Sequence, residues 1–191
     1  IMGGYGGAVL SSVLKYDTAT GTWSDVTPMP APRKFLAACA IGSRIYVFGG
    51  NSGGAKPDAY RYDTEADQWS TLAPMPVARF VHSVSVLNGM VYVLGGVDHH
   101  ETILSSVLRF DPASGSWSEV APMPTARSGM TSFVLGDCLY ACGGFDRRIR
   151  LNTVERYDVA TDTWSAAPSM DSARCNLGAC TVGVGGAGEV G

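Results

Sequence analysis

The chain has 191 residues, a formal net charge of −3, and a hydrophobic content of 46%, which excludes an intrinsically disordered protein. No apolar run is long enough to span a membrane, and nothing at the start resembles a secretory signal. The five cysteines are odd in number and include no CxxC pair. This favours a reduced, cytoplasmic protein, and nuclear or cytoskeletal association is also open.

The first 76 residues predict one incomplete and one complete antiparallel sheet. Residues 1–30 contain Gly3-Gly4 and two short strands, but an innermost strand is absent. Residues 33–76 contain four short apolar runs separated by turn residues, which predict a four-stranded meander.

The unit of residues 79–124 has the clearest strand pattern. Its first two apolar runs, Val81–Leu87 and Met90–Leu94, flank Asn88-Gly89. That dipeptide predicts a two-residue hairpin, because both turn positions tolerate positive φ. Two more short strands follow Gly95-Gly96, so the unit predicts a second complete meander.

The last third of the chain predicts one more sheet and the start of another. Residues 127–170 form the fourth unit, and a partial fifth unit begins at Arg174. It offers a lone inner strand at Leu177–Val182, and its double glycine follows too closely for a second strand. Residues 183–191 form a Gly-rich tail that we expect to fray.

The units share a double glycine, an aromatic-Asp pair, a tryptophan and an arginine in one order. The tryptophans are separated by 46, 48 and 47 residues, and so are the arginines. These residues are Trp23, Trp69, Trp117 and Trp164, and Arg33, Arg79, Arg127 and Arg174. A period near 50 residues with these marks resembles the kelch repeat, in which each repeat is one blade of a β-propeller.

The kelch resemblance implies an all-β propeller of four-stranded antiparallel blades over residues 1–182. The chain supplies about four blade-equivalents, and we expect them to be a fragment of a six-bladed ring. The alternative is a four-bladed ring in which the lone strand Leu177–Val182 completes the first blade. Most of the repeated Gly, Tyr, Trp and Asp residues are expected to be scaffold, so function is expected in the loops.

Charge divides between the two faces on which the loops emerge. The loops before each repeated arginine and after each double glycine carry nine basic and five acidic residues, which sum to +4. The loops on the other face carry one basic and eight acidic residues, which sum to −7. The cationic face favours acidic ligands. The repeated arginines could instead brace adjacent blades by bonding backbone carbonyls.

The candidate partner-binding residues lie on the cationic face and combine arginines with aromatic and polar side chains. They are Tyr5, Arg33, Phe35, Asn51, Arg79, Phe80, His82, Arg127, Ser128, Phe145, Arg174 and Asn176.

The stretch GGFDRRIRLNTVERYDVATDTWSAAPSM, followed by SARCNLGA, is similar to the propeller of the Kelch-like proteins. In that family a BTB domain binds a cullin scaffold, a BACK domain follows, and the propeller recruits substrates for ubiquitination. The resemblance implies a protein or peptide ligand, often with an acidic motif. It also implies a cullin contact only through a BTB domain that is absent here. By this interpretation the chain binds and is not an enzyme.

Three alternatives remain open. A cytoskeletal or scaffold kelch protein would bind a large partner without any ubiquitin role. A copper oxidase of the galactose oxidase type would need two histidine ligands, and we expect adjacent His99 and His100 to point to opposite sides. A sialic acid mutarotase would need a channel set such as Arg79, His82 and Glu101. The sequence predicts no cofactor, no metal, and no nucleic-acid or membrane partner.

Overall fold

The computed structural model describes residues 1–181, which form fourteen short strands. The strands are β1 Val13–Asp17, β2 Thr22–Val26, β3 Ala37–Ile41, β4 Arg44–Phe48, β5 Ala59–Asp63, β6 Gln68–Thr71, β7 Ser83–Leu87, β8 Met90–Leu94, β9 Val107–Asp111, β10 Ser116–Val120, β11 Thr131–Leu135, β12 Cys138–Cys142, β13 Val154–Asp158 and β14 Thr163–Ala167. Across this range no helix is long and apolar enough to cross a membrane.

The strands form four antiparallel sheets in chain order, which we number as blades. The first blade is the pair β1–β2, and the second, third and fourth blades are β3–β6, β7–β10 and β11–β14. Each four-stranded blade is a meander whose sequential strands are neighbours. The prediction of an all-β kelch-type propeller is therefore confirmed.

The predicted hairpin of the third blade forms at Asn88-Gly89. Both residues have positive φ, 53° and 75°, and the flanking residues Leu87 and Met90 pair across the turn. The strand that precedes the hairpin begins at Ser83, two residues later than predicted, because Val81 leaves the extended conformation with φ 53°.

Apolar clusters join the blades in sequence. Val13 and Met29 of the first blade pack with Tyr60 of the second. Further clusters join the second blade to the third and the third to the fourth; they include Phe48 with Phe110 and Leu94 with Leu139. Burial of these apolar surfaces holds the blades together as an arc.

The tryptophans of the second, third and fourth blades also bond to the blade before them. Their indole N–H groups donate to backbone carbonyls at 2.8–2.9 Å: Trp69 to Thr27, Trp117 to Ala73 and Trp164 to Ala121. These three tryptophans therefore link neighbouring blades, in agreement with the scaffold role expected for them. Trp23 of the first blade is 53% exposed.

The partial fifth unit differs from its prediction. Residues 177–181 form no strand, so the inner strand expected at Leu177–Val182 is wrong over this part. Val182, the double glycine of the fifth unit at 185–186 and the 183–191 tail lie outside the described residues. The boundaries at residues 30, 76, 124 and 170, and the choice between a six-bladed fragment and a four-bladed ring, stay predictions.

Candidate functional site

Each double glycine contacts the arginine that opens the next blade. A Cβ on Gly49 would lie 2.4 Å from the Arg79 carbonyl oxygen, and φ at Gly49 is +58°. The adjacent Gly50 N–H donates to the same carbonyl at 2.9 Å. The double glycine is therefore required by close backbone approach as well as by conformation.

The side chains of Arg79 and Arg127 are fully buried inside their own blades. Arg79 Nη1 donates to the carbonyls of Gly95 and Ser106 at 3.0 and 3.2 Å. Arg127 Nη1 donates to the corresponding carbonyls of Gly143 and Thr153 at 2.9 and 3.2 Å. Burial lowers the pKa of Arg79 to about 10. The repeated arginines thus bond backbone carbonyls, as one interpretation held, but they brace their own blade.

Two of these arginines also have internal acidic partners. Arg33 is buried and pairs with Asp58. Arg127 Nη2 lies 2.8 Å from Glu155 Oε1, and the Glu155 side chain is only 8% exposed. The prediction that Arg33, Arg79 and Arg127 contact a partner needs correction, because their guanidinium groups are already engaged beneath the surface.

The remaining candidates have different environments. Arg174 is exposed and donates to Ser172 Oγ at 2.9 Å. Phe80 and Asn51 are half-buried, and each pairs its backbone with a residue of its own blade. His82 is buried, which removes it from the surface, whereas Tyr5 is 67% exposed.

An open cavity of about 830 Å³ lies on the face where the arginine and post-glycine loops meet. Of the predicted residues, it brings together Phe35, Ser128, Phe145 and Asn176. Its lining also includes residues that were not among the candidates: Val81, Gly129, Arg148, Ile149, Arg150, Ala173 and Cys175.

One part of the lining is a continuous backbone feature, which we call the collar. It consists of Phe35, Val81, Gly129 and Asn176, each two residues after a repeated arginine, and all four have φ between 53° and 57°. Each N–H after the first donates to the previous member's carbonyl, at 3.1, 2.9 and 2.6 Å. Positive φ in Phe and Val is costly, and such strain is concentrated at functional sites.

The other part of the lining is the loop after the fourth blade's double glycine. Asp146 Oδ1 accepts the N–H groups of Arg148 and Ile149, both at 2.9 Å, and these bonds lower the Asp146 pKa. Ile149 is 61% exposed, and Arg148 and Arg150 flank it in sequence. The loop therefore presents two exposed guanidinium groups around an apolar side chain.

An aromatic group with one cation surrounds Phe35, which lines the cavity. Phe35 is 56% exposed, and its ring centroid lies 6.4 Å from that of Phe80. Lys34 Nζ lies 5.3 Å from the Tyr5 ring centroid and 5.4 Å from that of Phe35, within cation–π range. The predicted positive character of this face thus depends on its loop cations rather than on the buried arginines.

Residues 1–181 contain no group of three or more His, Cys, Asp or Glu side chains placed to hold a metal ion. The expected divergence of His99 and His100 is wrong, because their ring centroids lie only 3.7 Å apart. Glu101 is exposed, while Arg79 and His82 are buried and do not line the cavity, so these three residues do not form a set there.

Among solved structures, that of YjhT resembles this chain with a TM-score of 0.76 and 22% sequence identity. The match covers 90% of this chain and 65% of YjhT, so the chain spans less than two thirds of that protein. No curated protein sequence matches the chain. At this identity the likeness shows the fold alone.

The match to YjhT corrects the prediction that this chain is not an enzyme. That exclusion assumed a propeller used only for binding, but the shared fold is also that of the kelch-type mutarotase alternative. The exclusion was wrong as stated, because fold alone does not separate binders from enzymes.

A sequence model of the KLHDC2/KLHL20/DRC7 Kelch-repeats domain matches residues 1–186. The match includes all fourteen strands, the collar and the cavity loops. The chain therefore belongs to the KLHDC2/KLHL20/DRC7 kelch-repeat family.

Proposed function

We propose that this propeller binds a segment of another protein in the cavity between the collar and the Arg148–Arg150 loop. The observation that carries the proposal is the exposure of Phe35, Phe145 and Ile149 around one 830 Å³ cavity. Exposed apolar side chains beside polar and charged groups are typical of protein-binding anchors.

The bound segment is acidic and carries an apolar side chain. Arg148 and Arg150 would form charge-assisted hydrogen bonds with its carboxylates, while the exposed rings of Phe35 and Phe145 would cover its apolar group. Ser128 and Asn176 add short polar side chains to the same lining.

The wider role we propose is substrate recognition for a cullin-RING ubiquitin ligase in the cytoplasm. It is supported by family membership and by the likeness of residues 143–179 to Kelch-like propellers. A cullin would be reached through a BTB domain. Recovery of a cullin with the endogenous protein is the expected result, and a large cytoskeletal partner without a cullin would favour the scaffold alternative.

The binding site is tested with a library of fluorescent peptides that contain Asp or Glu beside Leu or Phe. The double variant Arg148→Ala with Arg150→Ala should weaken the best binder at least tenfold, since two charged contacts are lost. The matched control is Arg44→Ala with Arg61→Ala, which removes two arginines that do not line the cavity. Equal affinity for both double variants, measured by fluorescence polarisation, would contradict the site.

A sugar-converting enzyme is the second candidate: the fold shared with YjhT is compatible with it, and Arg148 and Arg150 of the open cavity would bind the carboxylate of an acidic sugar. Sialic acid anomers can be followed by NMR with and without the protein. Faster interconversion that is lost in the Arg148→Ala, Arg150→Ala variant would establish an enzyme at this cavity. Interconversion at the rate in buffer would leave peptide binding as the function of the site.

A further inference from the structure

His82 occupies a position that is apolar in the other blades. The third residue after each repeated arginine is Leu36, His82, Met130 or Leu177. In the described blades this residue lies under the second glycine. A Cβ on Gly50, Gly96 or Gly144 would lie 3.1, 2.7 or 3.1 Å from the Cβ of Leu36, His82 or Met130, respectively. The third blade therefore places an imidazole where packing alone would select Leu or Met.

The imidazole extends from the third blade into the second. Its Cε1 lies 2.8 Å from the position of a Cβ on Gly49, at the end of the second blade. His82 is 7% exposed, and neither ring nitrogen forms a hydrogen bond of normal geometry. Buried polar groups are normally paired with hydrogen-bond partners. This position therefore tolerates only the neutral ring, and even the neutral ring lowers the stability of the fold because its nitrogens are buried without hydrogen bonds of normal geometry.

Two backbone hydrogen bonds cross the same junction. The Gly50 N–H donates to the Arg79 carbonyl at 2.9 Å, and the Val81 N–H donates to the Phe35 carbonyl at 3.1 Å. The second of these bonds is a link of the collar, which borders the cavity. Displacement of His82 would therefore act directly on the backbone of the proposed binding site.

The charged neighbour that acts on His82 is the Arg79 guanidinium, on the same segment. The elements packed against the ring contribute Gly49 and Gly96, and among the described residues no carboxylate offsets a charge on it. Burial first, and the positive charge of Arg79 second, lower the pKa of His82 to about 3, although a contact with the Phe48 backbone acts in the opposite direction.

We propose that His82 is an acid-sensitive latch: the junction of the second and third blades closes only around the neutral imidazole, and acidification opens the collar. In the open junction the ring meets water and titrates at its ordinary pKa of 6.5. Protonation therefore favours the open form below about pH 6.5. The opening constant rises about tenfold per pH unit towards pH 3, which is about 30-fold at pH 5. The latch regulates the proposed binding cavity and would release its peptide in acid.

Amide hydrogen exchange on the whole chain tests the latch without any ligand. After correction for intrinsic exchange, protection of the Gly50 and Val81 amides should fall about 25-fold from pH 7 to pH 5. His82→Met and His82→Leu introduce the residues that the fourth and second blades carry at the equivalent position. In both variants the protection of the two amides should not depend on pH. His100→Leu, at an exposed histidine, should keep the wild-type dependence.

The latch would be overturned if the protection of these amides in the wild type stays constant between pH 7 and pH 5. It would also be overturned if the protection in His82→Met changes with pH as steeply as in the wild type. NMR titration of wild-type His82 gives a readout that needs no variant to fold. A ring that titrates near pH 6.5 while both amides stay protected also overturns the latch. Peptide affinity tests the cavity separately at pH values where the protection of Val81 shows that the open form predominates. Unchanged affinity there would contradict the proposed function and support the latch.

Discussion

Two sets of arginines on one face of this propeller have opposite roles. Arg79 and Arg127 are repeated in register, have no exposed surface, and donate to backbone carbonyls of their own blades. Arg148 and Arg150 are not repeated, are exposed, and line the cavity. The same residue type therefore stabilises the blade in one region and is available to a partner in the other.

The difference teaches that repetition marks scaffold in this fold. A residue that recurs in every blade must satisfy what every blade requires, which is closure of the backbone around the double glycine. A residue that occurs once is free to serve a partner, because the fold does not depend on it. Substitutions of repeated residues should therefore cost stability, whereas substitutions in the cavity loops should affect binding.

The largest effect is expected for Arg127→Met. It removes the donor to Gly143 and Thr153 and leaves the buried Glu155 carboxylate without its cation. Breaking a buried ion pair costs about 3–5 kcal/mol, so the urea midpoint should fall strongly. Arg148→Met, in the exposed set, should change the free energy of unfolding by no more than about 0.5 kcal/mol.

The double variant Arg127→Met with Glu155→Met sharpens this result. If the cost arises from the unpaired carboxylate, the second substitution should recover part of the lost stability. A double variant as unstable as the sum of both single variants would assign the cost to the carbonyl bonds instead.

Gly95→Ala should be the next largest effect. Its Cβ would lie 2.4 Å from the Arg127 carbonyl oxygen at φ +55°, so both close approach and conformation oppose it. Strain of this kind costs about 2–4 kcal/mol in total. Gly89→Ala has φ +75° but open space around the new Cβ, and it should cost only about 1 kcal/mol. Equal losses in thermal or urea unfolding would show that conformation alone requires the double glycine.

Much of the fold could be predicted because local signals and the repeat agree. Asn88-Gly89 fixed the register of the third blade, and the strand order followed from the meander.

The role of Asp162 could not be predicted. It is one of the eight acidic residues in the loops of the second face, yet its Oδ1 accepts both the Tyr157 hydroxyl at 2.6 Å and the Ala121 N–H of the previous blade at 2.9 Å. No local pattern encodes a contact 41 residues away.

The candidate site was predicted only in part, for the same physical reason. Phe145 and Asn176, which follow a double glycine and an arginine, were among the candidates and line the cavity. The positive φ of Val81 had no sequence signal, because Val is among the residues least suited to it. Whether the repeated arginines were exposed or buried also depended on acceptors such as the Ser106 carbonyl, which only the folded blade brings close.

The repeated tryptophans allow a smaller test of what a neighbouring blade contributes. Trp117→Phe loses the bond from Nε1 to the Ala73 carbonyl but keeps most of the ring contact with Phe48. The expected loss is about 1 kcal/mol in urea denaturation followed by circular dichroism. Trp23→Phe, at a 53% exposed ring, should cost less than about 0.5 kcal/mol. A similar loss at both positions would mean that the tryptophan acts within its own blade.

The smallest effect on stability, and the sharpest separation of the two regions, is expected for Phe35→Gly. Phe35 is 56% exposed at φ 55°, and Gly129 holds the equivalent collar position at φ 57°. Glycine relieves the left-handed strain of about 1–2 kcal/mol but costs about 0.5–1 kcal/mol through the freer unfolded chain, so stability should be unchanged or slightly higher. Peptide affinity should nevertheless fall about tenfold, because an exposed aromatic anchor is lost.

A strained residue whose removal harms only binding is retained for the site. If Phe35→Gly instead destabilised the fold by more than about 1 kcal/mol and bound normally, Phe35 would belong with the scaffold, and the cavity would have to bind through Phe145 and the Arg148–Arg150 loop.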